Sequence, residues 1–254
     1  MSKLAPPIVL IHGLWLSADS WRAWVERYRE AGHIVHAPDW PADPGIGLTQ
    51  ATDHFDAFVR SLPEAPIMIG HATGGLIVQL LLDRGLGRAG VAIEPSKPRG
   101  VLRAPLSMVR SAWPWLRDPR NRHKAVPISK AHFHYVFANT ISRTDSDRLH
   151  AELAIPAPGG VIFDVSTADL KPRSKAASAI DYANSDRAPL LLIAGDRDHV
   201  TPASVVYENF NRYRRSSAAT DFKVFRNRPH LITVVDGWQD VADHALTWTA
   251  HHTR

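Results

Sequence analysis

The sequence predicts an α/β fold: a mostly parallel sheet with helices on both faces and a helical insertion. Three observations carry this. Short β-branched apolar runs alternate with amphipathic stretches through residues 8–93, the pattern of parallel strands joined by crossover helices. A glycine-rich turn, Gly70-His71-Ala72-Thr73-Gly74-Gly75, links one apolar run to the helix after it. The alternation then lapses from about Glu94 to Arg187 and resumes at Leu190, as an insertion between two strands requires.

Ile8–Ile11 reads as the first strand. A helix from about Ser20 to Ala31 follows, with Ser17, Asp19 and Ser20 as N-cap candidates. Trp21, Trp24, Val25 and Tyr28 recur in it at helical spacing and form its core face. His33–Ala37 is the next strand, ended by Pro38-Asp39-Trp40-Pro41, and about Gln50–Ser61 the next helix. Ile67–Gly70 enters the glycine-rich turn, and the helix Thr73–Arg84 leaves it and stops at Gly85 and Gly87. Gly90–Ile93 is a further strand. In the proline- and aromatic-rich stretch that follows, short helices are expected near 104–117, 129–139 and 143–153. Strands return at Leu190 and at Asp221–Phe225.

Composition excludes several classes. The chain has 254 residues, a net charge of +5 and no cysteine, so there is no disulfide framework, thiolate nucleophile or cysteine metal site. No apolar run approaches the roughly 18 residues of a membrane span, and the N-terminus runs into the first strand with no room for a signal peptide. Together these point to a cytoplasmic protein. Residues 97–130 concentrate nine Lys and Arg against Asp118 alone. This reads as a solvated face, the sharper alternative being a rim that attracts anionic substrates or surfaces. No nucleic-acid-binding motif accompanies the charge, and oligomeric state is left open.

The turn Gly70-x-Ala72-x-Gly74 has the frame of the nucleophile elbow, G-x-S-x-G. The tip should be Ser, Cys or Asp. Here it is Ala72, whose methyl group cannot attack a carbonyl.

Three further segments occur in a telling order: Pro7-Ile8-Val9-Leu10-Ile11-His12-Gly13-Leu14-Trp15, then Leu190-Leu191-Leu192-Ile193-Ala194-Gly195-Asp196-Arg197-Asp198, then Asp221–Phe225 leading to His230. With the elbow frame, these make the chain resemble the α/β-hydrolase family of serine esterases and lipases with a cap domain. The resemblance implies a hydrolase core over 1–94 and 188–254 and a cap (lid) over 95–187. It implies Ala72 at the nucleophile position, Asp198 as the acid and His230 as the general base, in the family's chain order. Glu94, at the end of the strand after the elbow helix, is the alternative acid. The oxyanion donors would be the amides of Leu14 and Thr73. Substrate-binding candidates are Trp15 beside the oxyanion loop, His71 packed beneath the turn, and Trp113, Trp115, Phe133 and Tyr135 of the cap.

The implied activity is serine-dependent hydrolysis of a lipophilic carboxylic ester or lactone, a small-molecule substrate, with neither metal nor organic cofactor. Ala72 then stands where the working enzyme has Ser, and the chain should bind ester but hardly turn it over. Two alternatives remain. One is a cofactor-free perhydrolase, C–C hydrolase or lyase on the same fold. The other is a serine-less ligand-binding protein without catalysis.

Overall fold

The computed structural model describes residues 5–253. Its centre is a six-stranded, wholly parallel sheet. In chain order the elements are β1 (Ile8–Ile11), α1 (Arg22–Glu30), β2 (Val35–His36), α2 (Leu48–Ser61), β3 (Ile67–His71), α3 (Thr73–Asp83) and β4 (Ala89–Ile93). The insertion follows with α4 (Leu106–Leu116), β5 (Ala125–Val126), α5 (Lys130–Phe137), α6 (Arg143–Leu153), β6 (Ala157–Pro158) and α7 (Gly159–Ser166). The chain then returns to the sheet with β7 (Leu190–Gly195), α8 (Ala203–Arg212), β8 (Thr220–Phe225) and α9 (Trp238–His252).

The strands lie in the order β2-β1-β3-β4-β7-β8. The chain builds from β1 outward to β2, then crosses to β3 on the other side of β1. This reversal makes a crevice at the C-terminal ends of β1 and β3, where ligands bind in open α/β sheets. Both loops singled out in the sequence, after Ile11 and after His71, open into it.

The central strands β1, β3, β4 and β7 are buried along their whole length, so they read as continuous apolar runs rather than alternating ones, while the edge strand β8 is largely open. Ile8 and Leu10 pack with Trp21, Trp24, Tyr28 and Trp248 on the α1/α9 side, while Val9 and Ile11 face the α2/α3/α8 side. Two of those aromatics also satisfy their polar atoms: the Trp24 indole N–H donates to the Thr233 carbonyl (2.8 Å) and the Tyr28 hydroxyl to that of Ala242 (2.9 Å). Burial of each such ring contributes about 2–3 kcal/mol.

Where the elements differ from the sequence reading, local chemistry explains it. The first helix opens as a 3-10 turn, Ala18–Trp21, and none of the three N-cap candidates caps α1, whose N-cap position is Trp21. The expected strand at His33–Ala37 shrinks to Val35–His36 because only two of its residues pair with β1. In the insertion, α7 and the β5–β6 ribbon escaped the sequence reading. The ribbon pairs only Ala125 with Pro158 and Val126 with Ala157, and α7 begins at Gly159-Gly160, residues of low helix propensity. Asp164 on α7 ties the insertion to the core, accepting from the Leu48 amide at the start of α2 (3.1 Å). No helix among the described residues is long and apolar enough to cross a membrane.

Candidate active site

The turn between β3 and α3 places Ala72 at φ +50°, ψ −117°, a conformation that an L-residue holds only under constraint, at about 1–3 kcal/mol. The constraint is backbone hydrogen bonding: the Ala72 amide donates to Ile93 (2.9 Å), and its carbonyl accepts from Leu76 (3.2 Å) and Ser96 (3.0 Å). The flanking glycines are steric necessities. A Cβ on Gly70 would run into the Gly74 carbonyl, and one on Gly74 into that of Ile11. Four non-glycine residues among the described ones have positive φ: Trp15, Ala72, Glu94 and Asn227. All lie in loops leaving the C-terminal ends of β1, β3, β4 and β8, so backbone distortion is concentrated at one edge of the sheet.

His230 reaches this edge from the loop after β8, which is pinned by the Asn227 amide donating to Asp196 (2.7 Å). Its Nδ1 lies 2.8 Å from Asp198 Oδ2. The other Asp198 oxygen accepts from the amides of Val200 (2.6 Å) and Thr201 (2.9 Å), which fixes the carboxylate. With the Nδ1 proton committed to Asp198, Nε2 is the basic nitrogen. His230 and Ala72 line the same cavity, a narrow space of about 90 Å³. Leu14 and Thr73 line it too. Thr73 opens α3, so its amide lacks an intrahelical acceptor, and its hydroxyl pairs with that of Ser96 (3.1 Å).

Beneath the cavity lies a buried polar cluster. Glu94 Oε1 accepts from the Gly195 amide (3.0 Å), and its Oε2 sits 3.5 Å from His230 Nδ1 and 3.7 Å from His71 Nε2 without a hydrogen bond. Burial, with the Asp198 charge beside it, pushes the Glu94 carboxyl well above the usual carboxylate range. Asp198 is therefore the nearer, hydrogen-bonded partner of His230, and Glu94 the more distant one, its carboxyl biased toward the protonated form. His71 Nε2 lies 2.7 Å from the His230 carbonyl, which can only accept, so that nitrogen carries the proton. Burial, then the neighbouring His230, hold the His71 ring well below its ordinary value, hence neutral. The ligand atoms of His71, Glu94 and His230 lie close enough to share a cation, but a cation there would have to displace the bonds from both imidazoles.

The substrate-binding candidates divide. Trp15 and Trp115 line the cavity, stacked with ring centroids 4.1 Å apart. The Trp15 indole donates to the Val126 carbonyl (2.9 Å), and its own carbonyl accepts from Ile155 (3.0 Å). Four candidates do not line it. His71 is sealed below the turn by its bond to His230. Phe133 is fully buried against Phe137 and His150. Trp113 and Tyr135 line a separate shallow groove on the outer surface of the insertion. For Trp113 the reason is one residue of helical phase: Met108, Ser111, Ala112 and Trp115 make the inner face of α4, and Trp113 lies opposite. That spacing was the available signal for Met108. Ser96, Lys97, Phe137, Ile162 and Val200 also line the cavity and were not singled out. Lys97 is paired with Asp169 (2.7 Å).

Residues 8–244 match the sequence profile of the alpha/beta hydrolase family. The chain belongs to that family. Solved structures agree at the level of fold. A monoacylglycerol lipase of Paleococcus ferrophilus superposes with a TM-score of 0.70 at 21% identity, covering 98% of this chain and 97% of its own. A thermophilic esterase of Thermogutta terrifontis gives 0.70 at 14% identity, with 98% and 91% covered. A histidine-to-alanine variant of tomato methylketone synthase I, in complex with β-ketoheptanoate, gives 0.68 at 14% identity, with 99% and 100% covered. Structures that share this fold thus include esterases and lipases.

Proposed function

We propose that the cavity is the active site of a carboxylic-ester or lactone hydrolase for lipophilic substrates, and that this chain presents it with the nucleophile replaced by Ala72. The observation that carries this reading is the Asp198–His230 pair at 2.8 Å in the cavity that Ala72 lines. An imidazole so oriented is a general base waiting for a hydroxyl. With Ser at 72, His230 Nε2 takes the hydroxyl proton as the oxygen attacks the ester carbonyl. The amides of Leu14 and Thr73 hold the oxyanion, and the alcohol leaves with the proton from His230. Water, activated by the same nitrogen, then releases the acid. The apolar lining by Leu14, Met108, Trp115, Phe137 and Val200 selects a lipophilic acyl group, and the insertion serves as the cap that excludes water.

The experiment is Ala72→Ser, assayed on p-nitrophenyl esters of graded chain length. Hydrolysis that His230→Ala abolishes supports the reading. Failure on the whole series overturns it.

A second reading starts from Ala72 as the working residue. Decarboxylation of a β-keto acid needs no nucleophile. The C–C bond breaks to CO₂ and an enolate, two amides stabilise the enolate oxygen, and an imidazolium returns a proton to carbon. The likeness to a methylketone synthase structure holding a β-keto acid favours testing it. It requires the unaltered chain to release CO₂ from medium-chain β-keto acids in a His230-dependent way. Ligand binding without turnover in either assay would mark a non-catalytic binding protein.

A further inference from the structure

The helix α4 has two apolar faces, and the cavity uses only one. Taking 100° per residue, Met108, Ser111, Ala112 and Trp115 point inward, while Leu106, Val109, Arg110 and Trp113 occupy a stripe on the opposite side. Arg117, one residue past the last turn, continues that stripe. The stripe is open: Leu106 is 88% exposed, Trp113 61% and Val109 48%. Leu102, just before the helix, is 67% exposed. Large apolar side chains gathered in this way mark an interaction surface rather than ordinary scatter.

The surrounding charge says what the surface meets. Among the described residues no carboxylate lies within 4 Å of the side-chain nitrogens of Arg103, Arg110, Arg117, Lys124 or Lys130, whereas Lys97, Arg120 and Arg122 are paired; the one acid at this end of the patch, Glu208, accepts from the Leu102 and Arg103 amides and pairs with Arg212. The Arg110 guanidinium sits over the Tyr135 ring at 4.4 Å. Asp118, the single acid of the 97–130 segment, is taken by Arg120. A second copy of this chain would bring the same cations against themselves, as a two-fold interface must. Leu and Trp on a helix face rimmed by Arg and Lys suit the headgroup–acyl boundary of an anionic bilayer, where indole rings and long cationic stems both find partners.

We infer that the outer face of α4 docks on anionic lipid surfaces, placing the helix that walls the cavity against the phase where lipophilic molecules reside. This inference rests on the exposed stripe and its charge, and stands whichever chemistry the cavity performs.

The test is co-sedimentation of the full chain with vesicles of phosphatidylcholine alone and of an equal mixture with phosphatidylglycerol, at low and high salt. Binding should be at least about tenfold tighter to the anionic vesicles and weaken with salt. Trp113→Ser and Arg117→Glu should each weaken it, the charge reversal by roughly tenfold or more, with unchanged melting temperatures because both side chains are exposed. Equal binding to both vesicles, or full affinity in either variant, overturns the inference. So does a vesicle-free dimer in light scattering that Trp113→Ser dissociates, since a second copy would then be what covers the face.

Discussion

Asp198 Oδ2 and His230 Nδ1 stand 2.8 Å apart, while Glu94 Oε2 stands 3.5 Å from the same nitrogen. Two carboxyls thus approach one imidazole from different strands. They are not equivalent, because Asp198 is anchored by two amides, whereas burial and the neighbouring Asp198 push the Glu94 carboxyl well above its ordinary range.

In an Ala72→Ser background, Asp198→Asn is therefore expected to lower kcat by about 10⁴ on an activated ester, as loss of the correct imidazole tautomer does elsewhere. Glu94→Gln should lower it far less. Steady-state kinetics of the two double variants decide between the acids, and the reverse ranking would reassign the role to Glu94.

Ala72→Ser itself should raise ester turnover by a factor on the order of 10⁶, the loss seen elsewhere when a triad nucleophile is removed. Burst kinetics with p-nitrophenyl acetate would report the acyl intermediate directly.

Stability should depend on pH through the same buried cluster. The folded Glu94 carboxyl titrates well above its ordinary value of 4.5, so above that pH the unfolded state ionises first and binds fewer protons. Unfolding free energy then falls with rising pH, by up to about 1.4 kcal/mol per unit from this group, until the folded carboxyl also ionises. His71 acts in the opposite sense. Its folded pKa lies well below 6.5, so stability is lost as pH falls through about 6.5 and the unfolded imidazole takes up a proton. Glu94→Gln should remove the fall that begins above about pH 4.5 while leaving the His71 loss on acidification, measured by urea denaturation at acid, neutral and alkaline pH.

Trp115→Ala removes one half of the Trp15–Trp115 stack at the cavity wall. We expect it to lower stability by about 3 kcal/mol and to shift the preferred acyl chain of the Ala72→Ser enzyme to a longer one. Chain-length profiles read alongside thermal melts check both effects.

The sheet was legible because buried parallel strands write themselves as apolar runs, and β1, β3, β4 and β7 begin or end within a residue of the expected positions. The site loops were legible because each needs particular residues: glycines where backbones meet at 70 and 74, and an acid where Asp198 accepts two amides. The insertion resisted. Its helices at 106–116, 130–137 and 143–153 show periodicity, but which face looks inward depends on how the segment docks. That is why Trp113 and Tyr135, aromatic and well placed in sequence, lie on the outer surface while Met108 and Phe137 line the cavity. Phe133 belongs to the same helix as Phe137, one turn deeper. The sequence favours Asp198 as the acid beside His230 but leaves Glu94 as an alternative, since both sit at strand ends. Both are buried, and it is distance and hydrogen bonding that separate them.

The distorted backbone at position 72 is held by main-chain partners at Ile93, Leu76 and Ser96, none of which involves the side chain there. The corner consequently behaves as a socket that keeps its shape whatever is plugged into it. A side chain exchanged at this corner leaves those bonds in place, and the scaffold need not be rebuilt to receive it.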